Sequence, residues 1–257
     1  MKILVCFISH VINEKLISHY QNIKKSLDNK IYNIKFISPN NIIENNKLKN
    51  DIINLNITES LNDKLNNNHI KNNIFYIEIF NKFNNYDYYW FIENDVDINN
   101  TDKINGWKNL FNYYINNKSD LICSKINKWT DYIGYQKRYP ISLLNEYNKN
   151  NNFIFDIDDI WFGFYTICRL SKKLLLNVSD FYKENDGFFE YIITSLAKYN
   201  KLSISSFTKD GFDIEDILNY DKPHSINLGS NTWDQNYLFN NIYKYNQNII
   251  LHPIKLY

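Results

Sequence analysis

Two carboxylates bracket a single residue at Asp95-Val96-Asp97, directly after the apolar run Tyr88-Tyr89-Trp90-Phe91-Ile92. Ligands of open α/β sheets bind beyond the carboxyl ends of the strands, and a strand ending at 92 leaves these oxygens there. Paired hard anions suit Mg2+ or Mn2+, and an ion so held compensates the charge of a diphosphate. A solvated acidic turn is the bland alternative, and the placement after a buried strand is what favours the metal. A second acidic group, Asp156, Asp158 and Asp159, precedes Ile160-Trp161-Phe162-Gly163-Phe164. Aromatic rings stack on the apolar faces of sugars while carboxylates accept bonds from their hydroxyls, so Trp161, Asp158 and Asp159 are candidate acceptor contacts. Core packing accounts for most of the other rings. Arg169 and Lys172 offer charge for a phosphate, or a solvated helix start. A third string, Asp186-Gly187-Phe188-Phe189-Glu190, opens a helical pattern. Its carboxylates read as a helix cap and a first-turn acid.

The elements that must carry these groups alternate between strand and helix. The unbroken apolar run Ile3-Leu4-Val5-Cys6-Phe7-Ile8 predicts a strand buried on both faces, as in a parallel sheet covered by helices. A helix over about residues 13–27 and a strand over 31–37, closed by Ser38-Pro39, follow it. Residues 40–73 are Asn-rich and predict a weak helix with loops, and 74–80 fit an extended segment or part of a helix. Beyond the strand at 88–92 the pattern predicts a helix over 103–116 and a strand over 120–126. An aromatic-rich part follows, with a long strand over 160–170, helices over 171–182 and 187–199, and a short strand over 201–207. With no repeat, linker or composition break, residues 1–257 read as one α/β domain, with about 1–127 facing a nucleotide and about 128–257 facing an acceptor.

Composition narrows the class. Lys and Arg total 29 against 28 acids, a formal charge of +1, which argues against a dedicated nucleic-acid binder. The apolar fraction of 44% and aromatic fraction of 17% belong to a folded chain, one large enough to bury roughly three quarters of its unfolded surface. The excess of Asn, Ile, Lys, Tyr and Phe is the signature of A+T-rich codons, so single Asn or Lys runs carry no functional message. Cys6, Cys123 and Cys168 lie apart in apolar runs, which reads as buried free thiols in a reducing compartment. The first residues lack a signal-peptide pattern, and no run has the length of a membrane span, so a soluble, cytoplasmic chain is expected.

The string Trp90-Phe91-Ile92-Glu93-Asn94-Asp95-Val96-Asp97, the element order from the first strand onward and the C-terminal His252-Pro253-Ile254-Lys255 together resemble the GT-A class of glycosyltransferases, the nucleotide-diphospho-sugar transferase fold. The resemblance implies a mixed, mainly parallel sheet flanked by helices. It implies that Asp95 and Asp97 bind the metal and the nucleotide, that His252 is the third metal ligand, and that His10, ending the first strand, touches the nucleotide. His252 next to a proline also fits a packing residue, and His10 a satisfied core histidine. By the same resemblance the segment with Asp186 and Glu190 faces the acceptor hydroxyl, so Glu190 or Asp186 becomes the base of an inverting transfer. Mn2+ or Mg2+ is the implied cofactor, a nucleotide-sugar, by default a uridine diphosphate sugar, the donor, and a glycan or glycoprotein the acceptor. Were the chain viral, the host cytoplasm would be its place. Two other classes use similar residues. A nucleotidyl or phosphoryl-transfer enzyme needs a Gly-rich basic loop after the first strand, and residues after Ser9 provide none. A noncatalytic glycan-binding protein of the same fold needs no donor chemistry.

Overall fold

The computed structural model describes residues 1–38, 48, 51–55, 71–98, 100–149, 151–185, 187–207, 209–210, 212 and 250–252. Its main sheet has seven strands, in the order β3-β2-β1-β4-β7-β6-β8. They are β1 (Ile3–Ile8), β2 (Tyr32–Ser38), β3 (Ile52–Asn54), β4 (Tyr88–Glu93), β6 (Leu121–Lys128), β7 (Trp161–Ser171) and β8 (Ile204–Ser206). A separate ribbon pairs β5 (Asp97–Ile98) with β9 (Ile250–Leu251). Strands β3, β2, β1 and β4 are parallel, β7 runs antiparallel to both β4 and β6, and β8 is again parallel to β6. The expected mixed, mainly parallel sheet flanked by helices is what forms.

Alternation along β1 divides the core. Ile3, Val5 and Phe7 point to one face, where α1 (Glu14–Ser26) and α3 (Lys103–Tyr114) pack with Leu16, Tyr20, Ile23, Trp107, Leu110 and Phe111. Leu4 and Cys6 point to the other, beneath α2 (Lys71–Lys82), α6 (Lys172–Glu184) and α7 (Phe189–Tyr199). Two short helices, α4 (Ile133–Arg138) and α5 (Ile141–Tyr147), lie between β6 and β7 and have no counterpart in the sequence expectation. Six or seven residues span less than two turns, too few for a helical period to show. The ambiguous run at 74–80 is helical, inside α2, while most of 40–73 lies outside the described residues.

Local chemistry sets the ends that matter. Asn13, Asp102 and Ser171 cap α1, α3 and α6 by accepting bonds from the amides of Leu16, Asn105 and Leu174. At Gly106 an added Cβ would stand 2.7 Å from Ile98 Cγ2 and 2.8 Å from Asn100 Cβ, so the glycine lets α3 press against β5. Arg169, fully buried on β7, donates to the carbonyls of Tyr114, Asn117 and Ser119 and lies 4.4 Å over the Tyr88 ring. It therefore caps the C-terminal end of α3 and is unavailable to a phosphate, contrary to the expectation from its charge. Lys172, at the first position of α6, shares that end of the sheet.

Candidate metal centre

Chain order reverses at β1. The chain leaves β1 for β2 on one side and returns through β3 to β4 on the other, so β1 and β4 flank the crevice at a topological switch point. Their carboxyl ends are level, with Ile8 opposite Glu93. This is where open α/β sheets take ligands. β4 stops at Glu93, a turn closes with the amide of Val96 donating to the Glu93 carbonyl at 3.2 Å, and the chain resumes as β5. Antiparallel pairing of Asp97 with Leu251 and Ile98 with Ile250 then carries His252 opposite Val96, beside the turn. Residues far apart in the chain meet because of that two-residue ribbon.

The result is a cluster of Glu93, Asp95 and His252. His252 Nε2 lies 3.4 Å from Asp95 Oδ1 and 3.6 Å from Glu93 Oε2, with the imidazole 11% exposed and the two acids 23% and 31% exposed. Each residue offers one donor atom, and all three donors fall within 4.8 Å of one another. Neighbouring donors around a divalent ion at about 2.1 Å stand about 3 Å apart, and His252 Nε2 is already within a few tenths of an ångström of that spacing from each carboxylate. Two carboxylates and an imidazole suit Mn2+ and accept Mg2+. The other ring nitrogen, Nδ1, is buried without a partner among the described residues, which leaves Nε2 as the ligating atom. Burial lowers the affinity of His252 for a proton, but the bonds and charges of Asp95 and Glu93 outweigh it and raise the pKa to about 9. Without metal, the imidazolium offsets one of the two carboxylate charges.

Solved structures of glycosyltransferases are similar at this level of fold. A galactosyltransferase, LgtC, in complex with donor and acceptor sugar analogues is 10% identical with TM-score 0.43, and the match covers 87% of this chain and 81% of that one. A glycosyltransferase involved in glycosylation of the major capsid of PBCV-1 is 9% identical with TM-score 0.41, covering 80% and 82%. The glycosyltransferase GlyE of Streptococcus pneumoniae is 11% identical with TM-score 0.43, covering 98% of this chain and 54% of its own. No family model and no curated protein matches the sequence. The chemistry below rests on the residues themselves.

Of the residues singled out from sequence, the fold brings Asp95 and His252 together and adds Glu93, which sequence reasoning passed over. Its signal was present: Glu93, Asp95 and Asp97 share a spacing of two, and sequence cannot decide which two members of such a series stay together. Asp97 is the one set apart, only 6% exposed. Its Oδ2 pairs with Lys103 Nζ at 2.7 Å, its Oδ1 accepts from the amide of Ile98 at 2.7 Å, and His19 Nδ1 lies 3.9 Å away. Asp97, expected as a ligand to metal and nucleotide, stands outside the cluster in an inward-facing ion pair, with contacts to α1 and α3. His10 is exposed just beyond β1, on the edge that holds Glu93.

The expected acceptor side lies on the same edge, because β7 is antiparallel and its amino end passes the carboxyl ends of β4 and β6. Phe164 of β7 packs edge-on against His252 at 5.5 Å between ring centroids. Lys125, at a left-handed φ of 53° within the irregular pairing of β6, places its ammonium 5.5 Å from the same Phe164 ring. Trp161 is half-buried, with Lys198 Nζ 4.0 Å from its ring centre, while Asp158 and Asp159 are exposed on a 3-10 turn at Ile157–Asp159. Asp158 stands 4.0 Å from Lys128 Nζ. Glu190 is different. It is 6% exposed within α7, and its Oε2 accepts a 2.7 Å bond from Tyr139, whose ring stacks on Phe162. The carboxylate expected to face the acceptor hydroxyl thus points inward to Tyr139, where α7 packs on β7. Asp186 lies outside the described residues.

Proposed function

We propose that this protein is a metal-dependent glycosyltransferase that moves a sugar from a nucleotide-diphosphate donor, a uridine diphosphate sugar, to a glycan or glycoprotein. The observation that carries the reading is the Glu93, Asp95 and His252 cluster at the switch point between β1 and β4. A nucleotide laid along that crevice brings its diphosphate to the ends of the strands. Mn2+ or Mg2+ bound there supplies charge compensation for the departing diphosphate.

The chain's own residues supply the rest. Glu93 and Asp95 hold the negative side of the site, and His252 must release its proton to ligate, because a protonated imidazole has no lone pair at Nε2. His10, just beyond the end of β1, meets the nucleotide in this reading. Trp161, Asp158 and Asp159 stand at the amino end of β7, on the same edge, to receive the acceptor. Hydrolysis of a panel of sugar-nucleotides, with Mn2+ or with chelator, tests the reading. Nucleotide diphosphate release that needs Mn2+ and is lost in Asp95→Ala is expected. Cleavage of nucleoside triphosphates in place of sugar-nucleotides would move the protein to phosphoryl or nucleotidyl transfer. Glycan binding without any turnover would make it a binding protein of this fold.

A further inference from the structure

We infer that Asp97, Lys103 and His19 form a clamp that positions the metal-binding turn from behind, with Asp97 acting through Lys103 and not as a ligand. The inference rests on the metal reading of Glu93, Asp95 and His252 and assigns work to the acid nearest to them.

The turn closes on a backbone bond from the Val96 amide to the Glu93 carbonyl. It carries two carboxylates within reach of one imidazole, and between them Asn94 is 8% exposed with its amide nitrogen lacking a partner among the described residues. Crowded like charges and an unpaired buried amide both favour opening of such a segment. Outside groups oppose this at three consecutive residues. His19, from α1, donates through Nε2 to the Val96 carbonyl at 2.8 Å. Lys103, from the first turn of α3, binds Asp97 Oδ2 at 2.7 Å and donates to the Ile98 carbonyl at 2.7 Å. Asp97 Oδ1 closes the loop by accepting from the Ile98 amide. Gly106 lets α3 approach closely enough for Lys103 to make both contacts.

The tautomer of His19 agrees with this role. A carbonyl acceptor requires a proton on Nε2, and burial depresses the basicity of the ring, so Nδ1 is bare. A neutral ring donating to Val96 leaves Lys103 as the cation that compensates Asp97. The clamp thus has one positive and one negative member, paired with each other.

The two possible roles of Asp97 predict opposite signs. If Asp97 were a ligand, removing Lys103 would free its carboxylate and leave Mn2+ affinity unchanged or higher. If it acts through Lys103, Lys103→Met releases the turn and weakens Mn2+ binding, by about tenfold or more on the scale seen when groups supporting a ligand are lost. Calorimetric titration of the full chain with Mn2+ alone reads this. Lys103→Arg should recover most of the affinity, and His19→Gln, whose amide can still donate to Val96, should weaken binding less than His19→Leu. Ser171→Ala, which removes the α6 cap at the opposite end of the sheet, supplies a stability loss without a turn defect and should bind Mn2+ like the parent. Equal or tighter binding in Lys103→Met, or an equal affinity loss in Ser171→Ala, overturns the clamp. Should Lys103→Met fail to fold, the His19 pair decides, and equal affinities in its two members overturn the clamp. A parent that binds no Mn2+ overturns clamp and metal reading together, whereas a parent that binds Mn2+ but turns over no sugar-nucleotide overturns only the proposed function.

Discussion

At the scale of single residues, His252 is the group whose protonation reports on the site. Its pKa in the folded chain is about 9 against an ordinary 6.5, so metal-free protein gains stability from the imidazolium that is fully present below about pH 6.5. That gain is lost as pH rises through about 9. Thermal melting in chelator should therefore fall between pH 6.5 and 9.5, and His252→Gln should flatten that part of the profile. Mn2+ competes with the same proton, so its affinity should rise across that interval and one proton should be released on binding near neutral pH. Glu190 makes the contrasting case. Its bond from Tyr139 is buried, and Tyr139→Phe should cost about 1–3 kcal/mol in urea unfolding, the range for leaving a buried acceptor without its donor. Glu190→Gln keeps an acceptor for Tyr139 and should lose less. A Glu190→Gln protein that is as stable as the parent but a hundredfold slower in transfer would support the general-base role.

At the scale of elements, the contact between α3 and β5 decides how well the site is held. Replacing Gly106 by alanine improves intrinsic helix propensity by about 1 kcal/mol. The new Cβ, however, would meet Ile98 and Asn100 below 3.0 Å, and overpacking of this kind costs about 1–3 kcal/mol. The clash should win. Gly106→Ala is expected to lower the melting temperature and, by pushing α3 away from β5, to weaken Mn2+ binding through Lys103. A melting temperature above the parent's, with unchanged Mn2+ affinity, would show that Ile98 yields freely. The β5–β9 ribbon has the same importance for a different reason. Two paired residues on each strand are the connection that brings His252 to Asp95.

At the scale of the molecule, the sheet separates chemistry from anchoring. One edge carries the ends of β1 and β4, the amino end of β7 and the metal candidates, while the other carries Ser171, Asp120 and the start of β4. Arg169 works near that second edge, where it satisfies carbonyls at the end of α3 and in the loop after it. Arg169→Met strips several buried acceptors of donors and should cost more than about 3 kcal/mol. Among molecules still folded at low temperature, Mn2+ affinity should be close to that of the parent, which calorimetry below the melting transition checks. A large affinity loss there would mean that the two edges are coupled through β4 and β7. Among the described residues no helix is long and apolar enough to cross a membrane.

Sequence by itself determined the alternation of elements, because buried parallel strands read as unbroken apolar runs and the long helices show their period and caps. It located the acidic turn after β4, since a strand that ends in charge must end near solvent, and it singled out His252. It could not choose among Glu93, Asp95 and Asp97. Three acids at a spacing of two look alike along the chain, and the choice depends on where β4 stops and on which way β5 turns Asp97. Nor could it foresee that Glu190 faces Tyr139 or that Arg169 is buried, because both depend on which side of an element packs inward. Tertiary structure decided these points through the β5–β9 register and the close approach of α3. Together they place Lys103 behind the turn and His252 in front of it.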